Sequence, residues 1–302
     1  MSHLLDIASL EKDVISSILE RSRVLRGDKN PPKVLSGKIV ANLFFETSTR
    51  TRSSFTVAGE NLGARVLALD LQTSSVSKGE TLLDTVKALE AMGVSAFVIR
   101  HSESGAPHFA AKRTSAFVIN AGDGRHEHPT QALLDARTIL DKKGRLEGLT
   151  VAIAGDVSHS RVARSNIHLL GKFGAKVNVA APLTLMPRGL ESFGPHVHCF
   201  HRVEEALEDA DVVMMLRVQT ERIEEALFPS RPDYHRAFGL TKARFALAKP
   251  DAIVMHPGPI NRGVEIANEV ADGPGNVILD EVANGVFVRM AVLEHLFSEP
   301  LA

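Results

Sequence analysis

The sequence predicts an α/β protein of two domains, each a mostly parallel sheet flanked by helices, joined by a helix. Short apolar runs that suit buried strands alternate with segments of helical period along almost the whole chain. The length of 302 residues suits two domains of ordinary size, and the 44% of hydrophobic residues is enough for two cores. We expect domains at 1–133 and 134–281, with a C-terminal helix at 282–302 that packs back on the first.

The predicted strands are apolar runs bounded by turn-forming residues. In chain order they are 39–45, 65–69, 96–100, 116–120, 150–154, 176–180, 211–216 and 252–255. Apolar residues at helical spacing cover 1–25, 81–92, 130–140, 161–172 and 281–297. The break between the domains is expected within 130–148, because a helix there ends in the charged, glycine-punctuated run 141–145 before the next strand.

Composition excludes several classes of protein. A net charge of −1 argues against a nucleic-acid binder with a broad basic face. Because Cys199 is the only cysteine, neither an internal disulfide nor a zinc site built from thiolates of one chain is possible. The N-terminus lacks the uninterrupted apolar core of a signal peptide, and no segment is long and apolar enough to span a bilayer. We therefore expect a soluble cytoplasmic protein.

The segment 45–52, Phe-Glu-Thr-Ser-Thr-Arg-Thr-Arg, lies between the first predicted strand and a helix that begins near Ser53. A helix N-terminus carries unpaired N–H groups and a partial positive charge. Together with Arg50 and the neighbouring hydroxyls, it would make a phosphate-binding site without a glycine-rich loop. The alternative is that Ser48 or Thr49 only caps the helix and that the arginines are solvated.

Other polar groups of the chain collect after strands, where ligands of open α/β sheets bind. They are Arg100 with His101, 121–124 with 128–131, 155–161, Arg217 with Gln219, and 256–259. This set is rich in arginine and poor in acids, so the ligands should be anionic. The chain has no Walker loop, no GxGxxG after a strand and no nucleophile elbow, and nothing in it requires a metal, a cofactor or a covalent intermediate. The pattern favours a direct transfer in which donors stabilise an oxyanion and a phosphate leaving group.

Several of these motifs together resemble the aspartate/ornithine carbamoyltransferase family, and within it the aspartate carbamoyltransferases. The motifs are Phe-Phe-Glu-Thr-Ser-Thr-Arg-Thr-Arg at 44–52, Lys-Gly-Glu-Thr at 78–81, Arg100-His101, His-Pro-Thr-Gln at 128–131, Arg217-Val218-Gln219 and His-Pro-Gly-Pro at 256–259. The resemblance covers residues 4–297. It implies transfer of the carbamoyl group of carbamoyl phosphate to the amino group of L-aspartate, in pyrimidine (UMP) biosynthesis. It also implies a homotrimer whose active sites are shared between neighbours.

The resemblance further implies roles for single residues. Carbamoyl phosphate would be bound by the first domain, the carbamoyl-phosphate-binding domain, and aspartate by the second, the aspartate-binding domain. The carbamoyl-phosphate ligands would be Ser48, Thr49, Arg50, Thr51, Ser74, Arg100, His128, Gln131, Pro257 and Gly258. The aspartate ligands would be Lys78, Arg161, Arg217 and Gln219, and the catalytic set would be Arg50, Thr51, Lys78, Arg100 and His128. Ser74 and Lys78 would come from the adjacent subunit, and Glu46 would pair with Arg161 and Arg222 in a closed state.

Alternatives to this interpretation stay open. Ornithine carbamoyltransferases share the carbamoyl-phosphate half, but their late motif has a cysteine where this chain has Pro257, and their amino-acid site expects a cation binder. A catalytically silent paralogue acting as an assembly partner would have lost a key residue, and none is missing. Gly258, where some members carry leucine, and the continuation 260–266 resemble a bacterial branch. In that branch the chain forms a trimer alone or associates with dihydroorotase, so a regulatory chain is less expected as a partner.

Two further polar clusters are predicted to be structural. The run 196–201, which holds three histidines and Cys199, imitates a metal site. Strand alternation would split its side chains between two faces, so a solvated edge strand is expected. Asp123, His126 and Glu127 are expected to be turn residues that position the next helix. The sequence therefore predicts no metal ligands.

Overall fold

The computed structural model describes residues 3–70, 80–218 and 230–298. The chain divides into two compact units, one of Met1–Arg137 with Val282–Ala302 and the other of Thr138–Glu281. Each unit is built on a five-stranded sheet, and all of the strand pairs in both sheets are parallel. The predicted fold class is therefore confirmed. Among the described residues, no helix combines the length and the apolar character needed to cross a membrane.

The first unit has the strand order β1-β5-β4-β2-β3. Its strands are β1 (His3–Leu4), β2 (Ile39–Phe44), β3 (Arg65–Asp70), β4 (Ala96–His101) and β5 (Phe117–Asp123). Its helices are α1 (Lys12–Gly27), α2 (Thr49–Asn61), α3 (Leu82–Ala91), α4 (Ala106–Ala111) and the first part of α5 (Pro129–Lys143). The ends of β2, β4 and β5 lie side by side, because these strands are neighbours in the sheet.

The second unit has the strand order β10-β9-β6-β7-β8. Its strands are β6 (Thr150–Ala154), β7 (Lys176–Ala180), β8 (Val197–Phe200), β9 (Val212–Met215) and β10 (Ile253–Met255). Its helices are α6 (Arg161–Lys172), α7 (Val203–Leu207), α8 (Arg231–Phe238), α9 (Lys242–Phe245) and α10 (Asn268–Ala271). The last helix, α11 (Ile278–Ser298), begins in this unit and continues in the first.

The central strands are mainly apolar because helices cover both faces of a parallel sheet. Leu43 of β2 and the run 97–99 of β4 have no solvent exposure, and the same holds for Ile153 of β6 and Val213 of β9. Each predicted strand is present within a few residues of its predicted ends. The run 196–201 contains β8 at the edge of its sheet, as expected. Among the strands of the described residues, only β1 was not predicted, since two residues are too short to show a period.

The carboxylate of Glu90 joins the last turn of α3 to the start of β5. It accepts hydrogen bonds from the N–H and the hydroxyl of Ser115 at 2.6 and 2.7 Å and from the hydroxyl of Thr114 at 2.9 Å. Burial alone would raise the pKa of Glu90, but these bonds and one from Lys87 lower the pKa to about 2. A carboxylate with a depressed folded-state pKa adds stability above its unfolded pKa and loses it as the pH falls through the folded pKa.

We expect Glu90→Gln to lower the free energy of unfolding near neutral pH by about 1–3 kcal/mol. The difference from wild type should shrink as the pH falls from 4.5 to about 2, the interval between the ordinary and the folded-state pKa. Urea denaturation followed by circular dichroism measures it. Glu60→Gln, at an exposed position of α2, is the matched control and should change little. A pH-independent difference would contradict the role assigned to the Glu90 charge.

Candidate active site

The segment after β2 forms the start of α2. Ser48 is the residue before the helix, with an extended backbone (φ −163°), and its side chain makes no capping hydrogen bond. Thr49 and Arg50 are exposed in the first turn, whereas Thr51 is buried. Capping by the Ser48 side chain, one part of the alternative interpretation, is therefore not observed, whereas Arg50 is exposed, as the other part expected. The hydroxyls, Arg50 and the helix N-terminus are concentrated at one strand end, as an anion site requires.

Arg100, at the end of β4, lies beside this segment. Its Cα is the register partner of Phe44 in β2, and the N–H of Phe45 donates to its carbonyl oxygen at 2.9 Å. Nε of Arg100 donates to Oε2 of Glu46 at 3.2 Å, and both side chains are 17% exposed. Glu46 therefore orients the Arg100 guanidinium within the first unit. Arg222, which was expected to pair with Glu46, lies outside the described residues.

The turn between β5 and α5 positions His128, which is 3% exposed. Asp123 accepts a bond from the N–H of Glu127 at 3.1 Å and from Nδ2 of Asn120 at 2.8 Å. The Glu127 carboxylate accepts bonds from the N–H groups of Ile7 and Ala8 at 2.8 and 3.2 Å. These bonds fix the turn, so the side chains of Asp123 and Glu127 have the positioning role that the sequence predicted.

Gln131 lies one helical turn after His128 and is 7% exposed. Its Nε2 donates to Oδ1 of Asp135 at 2.8 Å. Arg289 of α11 is attracted to Asp135, donates from Nη1 to Oγ of Ser54 at 2.8 Å, and lies over the ring of Phe55 at 5.1 Å. Burial lowers the pKa of Arg289 to about 10. This buried cation therefore links α11 to α5 and to α2, the helix that begins with the predicted phosphate ligands.

The second unit contributes groups at the ends of three neighbouring strands. Arg161, the first residue of α6, is 4% exposed, and Arg217 follows β9. Pro257 and Gly258 follow β10, and Gly258 has a left-handed backbone (φ +65°) that favours glycine. The N–H of Gly258 donates to Nδ1 of His256 at 2.8 Å. Since β6, β9 and β10 are adjacent in the sheet, these groups collect beyond the carboxyl ends of the three strands.

No sequence pattern assigned a role to Glu265, which organises the loops at these strand ends. This acid has no solvent exposure, and burial raises its pKa despite the hydrogen bonds that it accepts. Oε1 accepts the N–H of Val218 at 2.8 Å and Nδ2 of Asn261 at 2.7 Å, while Oε2 accepts the N–H of Asn261 at 2.8 Å. Glu265 therefore ties the residue next to Arg217 to the loop that follows β10.

The structure assembles the predicted groups in two sets. Ser48, Thr49, Arg50, Thr51, Arg100, His128 and Gln131 belong to the first unit, and Arg161, Arg217, Pro257 and Gly258 belong to the second. Ser74, Lys78 and Gln219 lie outside the described residues. The first set supplies hydroxyls, guanidiniums and an imidazole, and the second supplies two guanidiniums and backbone carbonyls. Such donors can bind anions and stabilise an oxyanion.

Two protein-family profiles match the chain. Residues 2–141 match the carbamoyl-P binding domain of aspartate/ornithine carbamoyltransferase, and residues 147–296 match its Asp/Orn binding domain. The chain is 58% identical over 301 residues to the aspartate carbamoyltransferase catalytic subunit of Sorangium cellulosum, covering 98% of this chain and 93% of that protein. It is 56% identical over 295 residues to that of Myxococcus xanthus, covering 97% and 99%.

Solved structures show the same fold. Aspartate transcarbamoylase from Trypanosoma cruzi, crystallised with carbamoyl phosphate and aspartate, gives a TM-score of 0.87 at 31% identity, covering 97% of this chain and 95% of that chain. Ornithine carbamoyltransferase from Pyrococcus furiosus gives 0.87 at 30% identity, covering 99% and 97%. The fold alone therefore does not distinguish the two amino-acid substrates, whereas these bacterial relatives are both aspartate carbamoyltransferase catalytic subunits.

Proposed function

Because the chain belongs to the aspartate/ornithine carbamoyltransferase family, we propose that it transfers the carbamoyl group of carbamoyl phosphate to L-aspartate, giving N-carbamoyl-L-aspartate and phosphate. The observation that carries this proposal is the sequence identity of 58% and 56%, over nearly the whole chain, to two aspartate carbamoyltransferase catalytic subunits. The arginine-rich strand ends of both units agree with two anionic substrates. The reaction belongs to pyrimidine biosynthesis.

The phosphate of carbamoyl phosphate binds at the start of α2 in our proposal. Ser48, Thr49 and Thr51 donate from their hydroxyls, Arg50 adds paired charge-assisted bonds, and the helix N-terminus adds a partial positive charge. Arg100, which Glu46 orients, reaches both the phosphate and the carbonyl oxygen. This site stabilises the phosphate more strongly as it leaves with its extra charge, which lowers the barrier.

The carbonyl carbon is attacked by the neutral amine of aspartate. A C–N bond forms and a tetrahedral oxyanion develops, which Thr51, Arg100 and His128 stabilise by donating hydrogen bonds. The C–O bond to phosphate then breaks, phosphate departs with the electron pair, and the proton lost by the amine passes to the departing phosphate. Gln131 and the backbone carbonyls of Pro257 and Gly258 hold the carbamoyl NH₂ and the amine in line.

The two carboxylates of aspartate bind to the second unit and to Lys78. Arg161 and Arg217 supply guanidiniums and Gln219 an amide, a donor set that suits a dicarboxylate better than the ammonium of ornithine. We accordingly assign 1–133 with 282–302 to carbamoyl-phosphate binding and 134–281 to aspartate binding. We also propose a cytoplasmic homotrimer in which Ser74 and Lys78 serve the neighbouring site. We propose dihydroorotase as its further partner, and neither cofactor nor metal enters the reaction.

Steady-state assays of the purified chain with carbamoyl phosphate test this function. We expect carbamoyl-aspartate with L-aspartate and no product with L-ornithine. Ornithine turnover would refute the assignment of the second site. Absence of product with either amino acid, and again after dihydroorotase is added, would support the silent-paralogue alternative.

The Glu265 contacts predict a separate effect on aspartate binding. In Glu265→Gln the new amide has one acceptor oxygen, so at least one buried N–H of Val218 or Asn261 loses its partner. The loss costs about 1–3 kcal/mol, or roughly fivefold to a hundredfold in an equilibrium constant. We expect KM for aspartate to rise within this range and KM for carbamoyl phosphate to change little. Glu269→Gln, which changes an exposed acid of α10, is the control and should leave both KM values unchanged. Equal increases in both KM values would contradict this role.

A further inference from the structure

A cluster of His108, Asp123 and His126 lies in the first unit, apart from the residues assigned to the reaction. One ring nitrogen of each histidine and one carboxylate oxygen of Asp123 all lie within 4.8 Å of one another. Nδ1 of His126 is 3.1 and 3.2 Å from the two oxygens of Asp123. Ligand atoms of a tetrahedral zinc ion are about 3.3 Å apart, because each bond is about 2.0–2.1 Å long. Small side-chain rotations would therefore close this cluster around one ion.

The cluster has a supporting layer of hydrogen bonds. Oδ2 of Asp6 lies 2.9 Å from Nε2 of His108, and Oδ1 of Asp6 is held by the N–H and hydroxyl of Ser9 at 2.7 and 2.6 Å. Asp123, which is fully buried, also accepts a bond from the N–H of Gly105 at 2.6 Å. Metal-binding histidines usually donate their second ring nitrogen to such a carboxylate, which fixes the tautomer and the ring orientation.

One buried nitrogen of His108 lacks a partner within the described residues. Nδ1 of His108 is buried and makes no hydrogen bond within the described part of the chain. With Nε2 protonated toward Asp6, this nitrogen carries a lone pair, and buried polar atoms without partners are rare. Coordination through Nδ1 would satisfy it. The two carboxylates, Asp6 and Asp123, also give the cluster a charge that matches a dication when both imidazoles are neutral.

We propose that His108, Asp123 and His126 bind one divalent transition-metal ion, with Zn²⁺ as the best match, and that Asp6 orients His108. Two imidazoles and a carboxylate are a ligand set that zinc prefers and magnesium does not. The side chains of His108 and His126 are 33% and 37% exposed, which leaves room for entry and for water in a fourth position. The ion would hold the turn that leads to His128. It has a structural role, and the carbamoyl-transfer chemistry does not depend on it.

Metal titration of the chelator-treated full-length chain tests the proposal. We expect one Zn²⁺ per chain by calorimetry, a tetrahedral spectrum with Co²⁺, and no comparable binding of Mg²⁺. His108→Ala and His126→Ala should each lower Zn²⁺ affinity more than Asp6→Asn does, and Asp6→Asn should lower it about 10–100-fold. His198→Ala, an exposed histidine of β8, is the matched control and should bind zinc as wild type does.

Two results of the titrations would overturn the proposal. One is the absence of stoichiometric Zn²⁺ binding, which would leave Asp6–His108 and Asp123–His126 as ion pairs only. The other is unchanged affinity in both histidine variants. X-ray absorption at the zinc edge of the wild-type protein avoids any dependence on variant folding. It should count two imidazole ligands, and sulfur in the first shell would place the ion at Cys199 instead.

Discussion

Arg50→Ala is expected to abolish most of the turnover of this chain. The variant loses a charge-assisted anchor for the phosphate, which becomes more negative as it leaves. Removal of such a group costs at least about 2–4 kcal/mol of transition-state stabilisation, or roughly 30- to 1000-fold in kcat/KM. Because Arg50 is exposed in the first turn of α2, the fold should be unaffected. The measurements are steady-state kinetics and the melting temperature of the variant.

The comparison variants separate charge, geometry and folding. Arg50→Lys keeps the charge but loses the planar fork that binds two phosphate oxygens, so we expect only partial recovery. Arg65→Ala removes an exposed arginine at the start of β3, which pairs with the start of β2. The phosphate ligands follow the opposite end of β2. This variant should leave kcat/KM unchanged. An Arg50→Ala protein with near wild-type kcat would refute the phosphate-binding role of Arg50.

The sequence predicted the fold because its local patterns agree with its topology. Runs such as 150–154 and 176–180 are mostly apolar, as is typical of strands covered on both faces, and they appear with the same bounds as β6 and β7. The rule that ligands bind beyond strand ends directed attention to Arg100 and Arg217, and both follow or end a central strand. The two-residue β1 carried no such pattern.

Contacts between distant residues were beyond the reach of sequence patterns. Glu265 bonds to Val218 across 47 residues, and no local spacing announces that pairing. Arg289 lies in a largely apolar stretch of α11, and no local spacing shows that its side chain bonds to Ser54 of α2. The cluster of His108 with Asp123 and His126 was missed because α4 and the turn after β5 become neighbours only in the folded unit. Burial and hydrogen-bond geometry supply this information.

Mixing two inactive variants is expected to restore activity if the active site is shared between subunits. Segment 71–79, which includes Ser74 and Lys78, follows β3, and β3 is the outermost strand of its sheet. The Cα of Asp70, its last residue, pairs with that of Phe44 at the end of β2, beside the phosphate ligands. A segment that follows the outermost strand of a sheet can serve the site of a neighbouring chain. Lys78→Ala and Arg50→Ala should each be inactive alone, because each substitution removes one required group from every site.

In a mixed trimer, one interface joins the intact Arg50 of one chain to the intact Lys78 of another. Random exchange at equal amounts leaves about a quarter of the sites with both groups, so activity should return to about that fraction of wild type. Subunit exchange has to be verified with labelled chains, and two copies of Arg50→Ala carrying different labels are the control. Exchanged trimers that stay inactive would place both residues in the same subunit's site. Recovery near a quarter could not arise from sites contained within single chains, because every chain would still lack one group.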